Sequence, residues 1–466
     1  MNFTSYEFLI FFLAVFILYW LVRRRTWQNV LLLVASYVFY SWLHPWYALL
    51  LGLSTLADYG LARAMEKSKR RNRLMAVSLV LNLGVLAFFK YFGFFVPSIA
   101  QSLSTLGIQA DTVLIKIILP VGLSFFTLKK LAYMLDVSKG VLEPTHDLVG
   151  FALFIAFFPQ ITAGPIDRAQ KLLPQFQTDR VWKPENFYNA WPLLVMGMFK
   201  KFVIANGVGP TVGRIFHLTN PTGELALSAA LGFTLQILAD FSGYTDIARG
   251  LAFLMGFDTS ENFRTPYLSL TPTEFWNRWH ITLSTWLRDY IFFPLRRALV
   301  RRKDYLPDWV VQSLPPIVTM LISGLWHGVG WTYVGWGLLY GVSIAGYQLI
   351  GLRGEWKPKG AVKVVLAWLV MFGITILAFL IFGAPSLSWI GNLFNNPFFG
   401  TIEQQSVAWL MLSLVAVYST PLIAKLLLDR YFKPDSIVIA LYYAVATMLM
   451  FIYINSASPD FIYFQF

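Results

Sequence analysis

The chain has 466 residues, of which 57% are hydrophobic and 13% charged, and its mean hydropathy is +0.59; that is too little charged surface for a soluble protein of this length. The formal net charge of +13 is concentrated in short connections between apolar stretches, a pattern that orients membrane segments and argues against a nucleic-acid partner. The absence of cysteine excludes a disulfide, a thiolate metal site or a thioester on this chain, so any acyl group it carries sits on oxygen or nitrogen.

Apolar stretches near the roughly 20 residues needed to cross a bilayer run through 6–22, 28–43, 46–62, 74–97, 112–128 and 148–163, then 190–206, 225–256, 314–350, 362–382, 405–428 and 437–455. Several are short, broken by Gly or Pro, or long enough for a hairpin. The expectation is an all-α polytopic membrane protein with about eleven or twelve transmembrane helices plus re-entrant and interfacial pieces, forming one membrane domain over 1–466. No small-residue cleavage site precedes the first arginines, so the first span is expected to be retained. Basic residues cluster at Arg23, Arg24 and Arg25 and in 67–73, 296–303, 353–363 and 425–433. Placing these in the cytoplasm puts both termini outside.

Polar residues interrupt this pattern at three places. In LADFSGYTDIARGLAFLMGF, Asp240 and Asp246 are intramembrane acids beside Gly243 and Gly250, which permit close helix approach; a hydrogen-bonding role with Tyr244, Thr245 or Arg249 is favoured over an ion path. Residues 262–303 mix Trp, Arg and acids too densely for a lipid-facing span. From Pro272, the positions Phe275, Trp279, Thr282 and Trp286 against Glu274, Arg278 and Asp289 predict an amphipathic helix at the cytoplasmic face. Thr271 or Thr273 would cap it, Glu274 and Arg278 would pair at i,i+4, and His280 would lie inside it. The basic run at 296–303 reads as a cytoplasmic anchor. Third, TMLISGLWHGVGWTYVGWGLLY at 319–340 holds a single histidine, His327. An ionisable ring at membrane depth points to function, although a satisfied core imidazole would look the same. His44, His146 and His217 lie at span ends or in loops without metal-ligand spacing.

Taken in order, FFKYFGFF at 88–95, LPVGLSFFTLKKLAYMLDVSKG at 119–140, FFPQITAGPIDR at 157–168, DFSGYTDIARGLAFLMGF at 240–257, NFRTPY at 262–267, FWNRWHITLSTWLRDY at 275–290 and GLWHG at 324–328 resemble the membrane-bound O-acyltransferase family. The resemblance is to its bacterial branch, which contains the alginate O-acetyltransferase membrane subunit and the D-alanyl transfer protein of teichoic acid synthesis, and it covers most of the chain. It implies that His327 is the catalytic histidine and that His280 lines the same reaction tunnel. Asn277, Trp326 and Asp246 are supporting candidates, Asn277 as an oxyanion donor. This chain departs from the alginate type in having Lys129 where relatives usually have Gln, and Arg296, Arg297 and Ala298 where they have a Gly-Gly-Asn turn. FIYFQF at 461–466 resembles an FxYxxF motif of some members, which makes Tyr463 an acyl-acceptor candidate; the alternative is an aromatic interfacial anchor.

The implied activity is transfer of an acyl group, most readily acetyl, from a cytoplasmic thioester to an extracellular cell-envelope or exopolysaccharide hydroxyl. No bound cofactor or metal is expected. The co-substrate would be acetyl-CoA or an acyl-carrier protein, the partners an extracellular SGNH-type acyltransferase and membrane lipids, and the location a bacterial inner or plasma membrane. D-alanyl transfer to teichoic acid from a carrier-protein thioester is the nearest alternative. A lipid or glycan transporter predicts translocation without acyl chemistry, and a non-catalytic membrane scaffold predicts that His327 is replaceable.

Overall fold

Runs of Leu, Val, Ile and Phe without turn residues wind into helices, because away from water a backbone must satisfy its N–H and C=O groups within its own segment. The computed structural model describes residues 1–105, 120–352, 354, 356–454 and 461, without the side chains of 92–105. All regular structure among the described residues is helical. Six of these helices are long and apolar enough to cross a membrane: Arg71–Tyr91, Pro184–Phe216, Gly223–Leu254, Asp308–His327, Ala361–Gly383 and Ile402–Tyr431, with Tyr6–Leu21 and Ile437–Tyr453 shorter but equally apolar. The protein is an all-α, multi-pass membrane protein.

One stretch long enough for a hairpin forms one, and one expected span is cut short. The 314–350 stretch is a hairpin, Asp308–His327 followed by Trp331–Leu349. The 148–163 stretch is helical only over Leu148–Ala156; beyond it, Gly164 packs so tightly that a Cβ there would lie 2.4 Å from the Gln160 Cα.

The described chain forms two compact units. The first comprises Met1–Ala190 and Ala248–Ser260. Its apolar core includes Phe8, Phe12, Phe39 and Phe158, whose rings pack against one another. Buried charges are answered locally, as a low-dielectric interior requires. Lys130 lies 3.5 Å from Asp58, which also accepts from Ser78 at 2.6 Å and Asn82 at 2.8 Å. Lys129 donates to Gln160 at 2.9 Å, and Gln160 to Asp167 at 2.6 Å; the Lys129 ammonium also lies 4.7 Å from the Phe154 ring centre. A cation at this position is therefore housed by an amide acceptor and an aromatic face.

The second unit comprises Trp191–Ile247 and Glu261–Phe466. Its core is strongly aromatic, with Phe216, Phe233, Trp276, Trp279, Trp336, Tyr340, Phe379 and Phe382 among its buried residues. Small residues bring two of its helices into backbone contact. A Cβ on Gly324 would lie 2.2 Å from the Tyr333 carbonyl oxygen, and one on Gly337 would lie 2.4 Å from that of Met320. Gly197 and Gly243 make a similar approach, where a Cβ on Gly243 would lie 2.8 Å from the Gly197 carbonyl oxygen. Beside it, the acids find partners that the sequence reading did not name. Lys201 pairs with Asp240 at 2.8 Å and Lys200 with Asp246 at 2.6 Å, both lysines belonging to the π-helical turn Lys200–Ala205.

Candidate active site

The amphipathic helix expected from Pro272 is interrupted. Thr271 caps it, accepting a hydrogen bond from the Glu274 N–H at 3.1 Å, and Glu274 pairs with Arg278 at 2.6 Å, but the helix ends at Trp276. A second helix, Ile281–Leu287, begins after His280. His280 is therefore not inside a helix; it stands between two, in the left-handed region at φ 41° and ψ 54°. That conformation crowds a Cβ against the backbone, and such strain persists only where neighbours over-determine it.

Asn262 is the main neighbour. Its carbonyl accepts from Ile281 N–H at 3.0 Å, and its side-chain oxygen accepts from Thr282 N–H at 3.1 Å and the Thr282 hydroxyl at 2.7 Å. Arg264 N–H donates to the Arg278 carbonyl at 2.9 Å. Backbone is thus clamped on both sides of His280, whose side chain is driven inward to 1% exposure. Its ring meets Phe241 edge-on at 4.8 Å and Trp326 at 6.1 Å between centres. His280 lies outside the spanning helices, and burial pushes its imidazole down to about 3, which favours the neutral ring.

His327 closes the Asp308–His327 helix. It is 8% exposed, and its ring is surrounded by Trp326 at 4.8 Å, Trp336 at 5.1 Å and Phe382 at 5.3 Å. Three helices supply this cage. The backbone contact at Gly324 fixes the helix end that carries the histidine. Tyr333, stacked edge-on to Phe382 at 5.0 Å, would be struck by a Cβ on Gly328 at 2.2 Å, so the residue after the histidine must also be small. The two imidazoles expected to share a site both touch one indole, Trp326.

The other candidates lie elsewhere. Asn277 is exposed and lines a cavity of about 130 Å³ with Thr273, Trp276, Arg288 and Thr319, among others, a wall that includes neither histidine. Trp276 connects this cavity to the cage, because its ring meets Trp336 at 5.6 Å. Asp246 is engaged by Lys200. Tyr463 lies outside the described residues. His44 packs on the Tyr47 ring, and His146 pairs with Glu66 at the surface. The sequence reading missed Asn262, Phe241, Trp336 and Phe382 as components of the site. Asn262 carried a signal as a polar residue opening the NFRTPY motif, whereas Phe241 and Trp336 lay within the 240–257 and 319–340 segments as ordinary apolar positions.

An enclosed histidine, walled by aromatic rings and sharing one indole with a second imidazole, suits proton transfer to and from a hydroxyl shielded from water. The family model for MBOAT, the membrane-bound O-acyltransferase family, matches residues 141–384, a span that contains both histidines, Trp326, Trp336 and Phe382.

The chain belongs to this family.

As a membrane-bound O-acyltransferase it is an enzyme of acyl transfer to oxygen. It is similar to the probable alginate O-acetylase of Pseudomonas aeruginosa, with 37% identity over 410 residues, 86% of this chain and 76% of the relative. It is also similar to the peptidoglycan O-acetyltransferase of Helicobacter pylori, at 31% over 81% of this chain and 75% of the relative. The teichoic acid D-alanyltransferase of Bacillus subtilis matches at 29% over 57% of this chain and 69% of the relative.

Proposed function

We propose that this O-acyltransferase moves an acetyl group from a cytoplasmic thioester, acetyl-CoA or an acyl-carrier protein, to a hydroxyl of a polysaccharide or peptidoglycan acceptor outside a bacterial inner or plasma membrane. The observation that carries the reading is the pair of buried imidazoles on one indole, His327 within an aromatic cage and His280 held beside it in a strained backbone conformation. The relatives named as O-acetylating enzymes align over more of the chain than the D-alanyltransferase does, which favours acetyl over D-alanyl.

In the reaction, His327 takes the proton from the attacking hydroxyl, whose oxygen bonds to the thioester carbonyl carbon. The tetrahedral intermediate collapses with cleavage of the C–S bond, and the imidazolium returns its proton to the departing thiolate. A neutral imidazole has one unprotonated ring nitrogen to take the hydroxyl proton, and the same nitrogen returns it to the leaving group. Neutral His280 would hydrogen-bond the carbonyl oxygen and orient the thioester. Where Tyr463 is the first acceptor, the acyl group rests on its phenolic oxygen. A phenol of pKa about 10 leaves more readily than an alkanol, so the ester remains activated for a second hydroxyl. That second step regenerates the tyrosine and would be completed by an extracellular SGNH-type partner.

His327→Ala and Tyr463→Phe in membranes supplied with a labelled acetyl thioester test this. Expected are no labelled protein or polymer with the first, and no polymer labelling with the second. Transfer at the wild-type rate by His327→Ala would remove the mechanism. Full transfer by Tyr463→Phe would make the 461–466 motif an anchor.

A further inference from the structure

Of the 461–466 motif, Phe461 belongs to the described residues, and it is 1% exposed. Its ring centre lies 4.3 Å from the Lys201 ammonium, and its ring meets Tyr244 edge-to-face at 4.9 Å. Lys201 in turn holds Asp240 at 2.8 Å, with both side chains almost wholly inaccessible. A buried ion pair is poor value as a stabilising device, because desolvation offsets most of its attraction; an apolar pair would fill the same space. A lysine whose ammonium is presented to an aromatic face does something an apolar pair cannot, since the negative face of the ring selects an aromatic occupant. Local structure also aims this lysine. The π-helical turn Lys200–Ala205, a feature often found at functional positions, lies beside the backbone contact of Gly197 and Gly243. This lets two consecutive lysines engage carboxylates on one helix, Lys200 with Asp246 where partly exposed and Lys201 with Asp240 in the interior.

We propose that Lys201, Asp240 and Tyr244 form an aromatic-selective socket whose occupant is Phe461, and that this socket anchors the 461–466 segment to the second unit as a positioning device for acyl transfer. The positioning role rests on the reading of Tyr463 as acyl carrier; the socket itself does not. Tyr463 follows Phe461 by two residues, and two residues of extended chain reach at most about 7 Å, so a seated Phe461 would keep the backbone of position 463 within that distance of the socket and, on the acyl-carrier reading, would lower the entropy cost of bringing the phenol to the acyl donor. Phe461 is a positioning residue, not a catalytic one.

The test uses the full chain in membranes, with a photoreactive benzoyl-phenylalanine in place of Phe461. Irradiation should cross-link it to peptides containing Lys201 or Tyr244. The yield should fall several-fold in Lys201→Met/Asp240→Leu, which removes both charges together and leaves no unpaired carboxylate. Cross-links landing elsewhere, or a yield unchanged in that double variant, would overturn the socket. In parallel, Phe461→Ala should lower acylation at position 463 at least tenfold, and Phe461→Trp should restore most of it. Wild-type acylation in Phe461→Ala would overturn the positioning role. If instead Tyr463→Phe retains full transfer while the cross-links fall on the socket, the acyl-carrier reading fails and the anchor stands.

Discussion

Replacing Gly324 with alanine is the sharpest test of how the His327 end of its helix is held. The new Cβ would lie 2.2 Å from the Tyr333 carbonyl oxygen, where ordinary contact begins near 3.4 Å. The obstacle is backbone of the adjoining Trp331–Leu349 helix, so no side-chain rotation relieves it. The hairpin must open by about 1 Å at a point three residues before His327, and a displacement of that size at a reacting group costs on the order of 10²-fold in rate. Overpacking of this kind also costs roughly 1–3 kcal/mol of stability, which leaves a measurable population of inserted protein. Gly346, on the same partner helix, has nothing within 4 Å of its would-be Cβ, and alanine there should be neutral or slightly stabilising. Acyl transfer per inserted molecule should therefore fall about a hundredfold in Gly324→Ala and stay unchanged in Gly346→Ala. Equal, wild-type rates in both would refute the claim that this backbone contact sets the position of the histidine.

Asn262→Leu removes the acceptor that holds Thr282 and should lower transfer about tenfold or more, in keeping with the roughly 1–3 kcal/mol lost when buried donors go unmatched; Asn262→Asp keeps the oxygen and should retain more activity, both read as initial rates in membranes. Asparagine tolerates the left-handed conformation at position 280 (φ 41°) and can hydrogen-bond, so His280→Asn should keep partial activity and His280→Ala little; full activity in both would assign His280 to packing. Cysteine labelling is clean in a chain with no cysteine, and a probe at position 69 should be protected from impermeant reagent in intact cells, labelling from outside being the result that reverses the proposed orientation.

Membrane character was legible from composition alone, because a chain with 57% hydrophobic and 13% charged residues cannot cover itself with polar surface. The hairpin over 314–350, the Thr271 cap and the Glu274–Arg278 pair were legible for a similar reason: each depends on residues a few positions apart, whose spacing a helix converts directly into contact. Family membership also lay in the sequence, in the order of its motifs. Tertiary structure decided what those motifs enclose. Periodicity through Phe275, Trp279, Thr282 and Trp286 reads as one helix, and nothing local to His280 announces the left-handed turn that breaks it; the turn is imposed by Asn262, eighteen positions earlier. The lysine partners of Asp240 and Asp246 lie on a π-helical turn tens of residues upstream, brought near by the close approach of Gly197 and Gly243. Trp336 and Phe382 look like any lipid-facing aromatics in sequence, and only the packing of three helices turns them toward His327. Short-range spacing is fixed by helix geometry, whereas a site assembled from distant helices depends on which faces meet, and that is settled by packing across the whole unit.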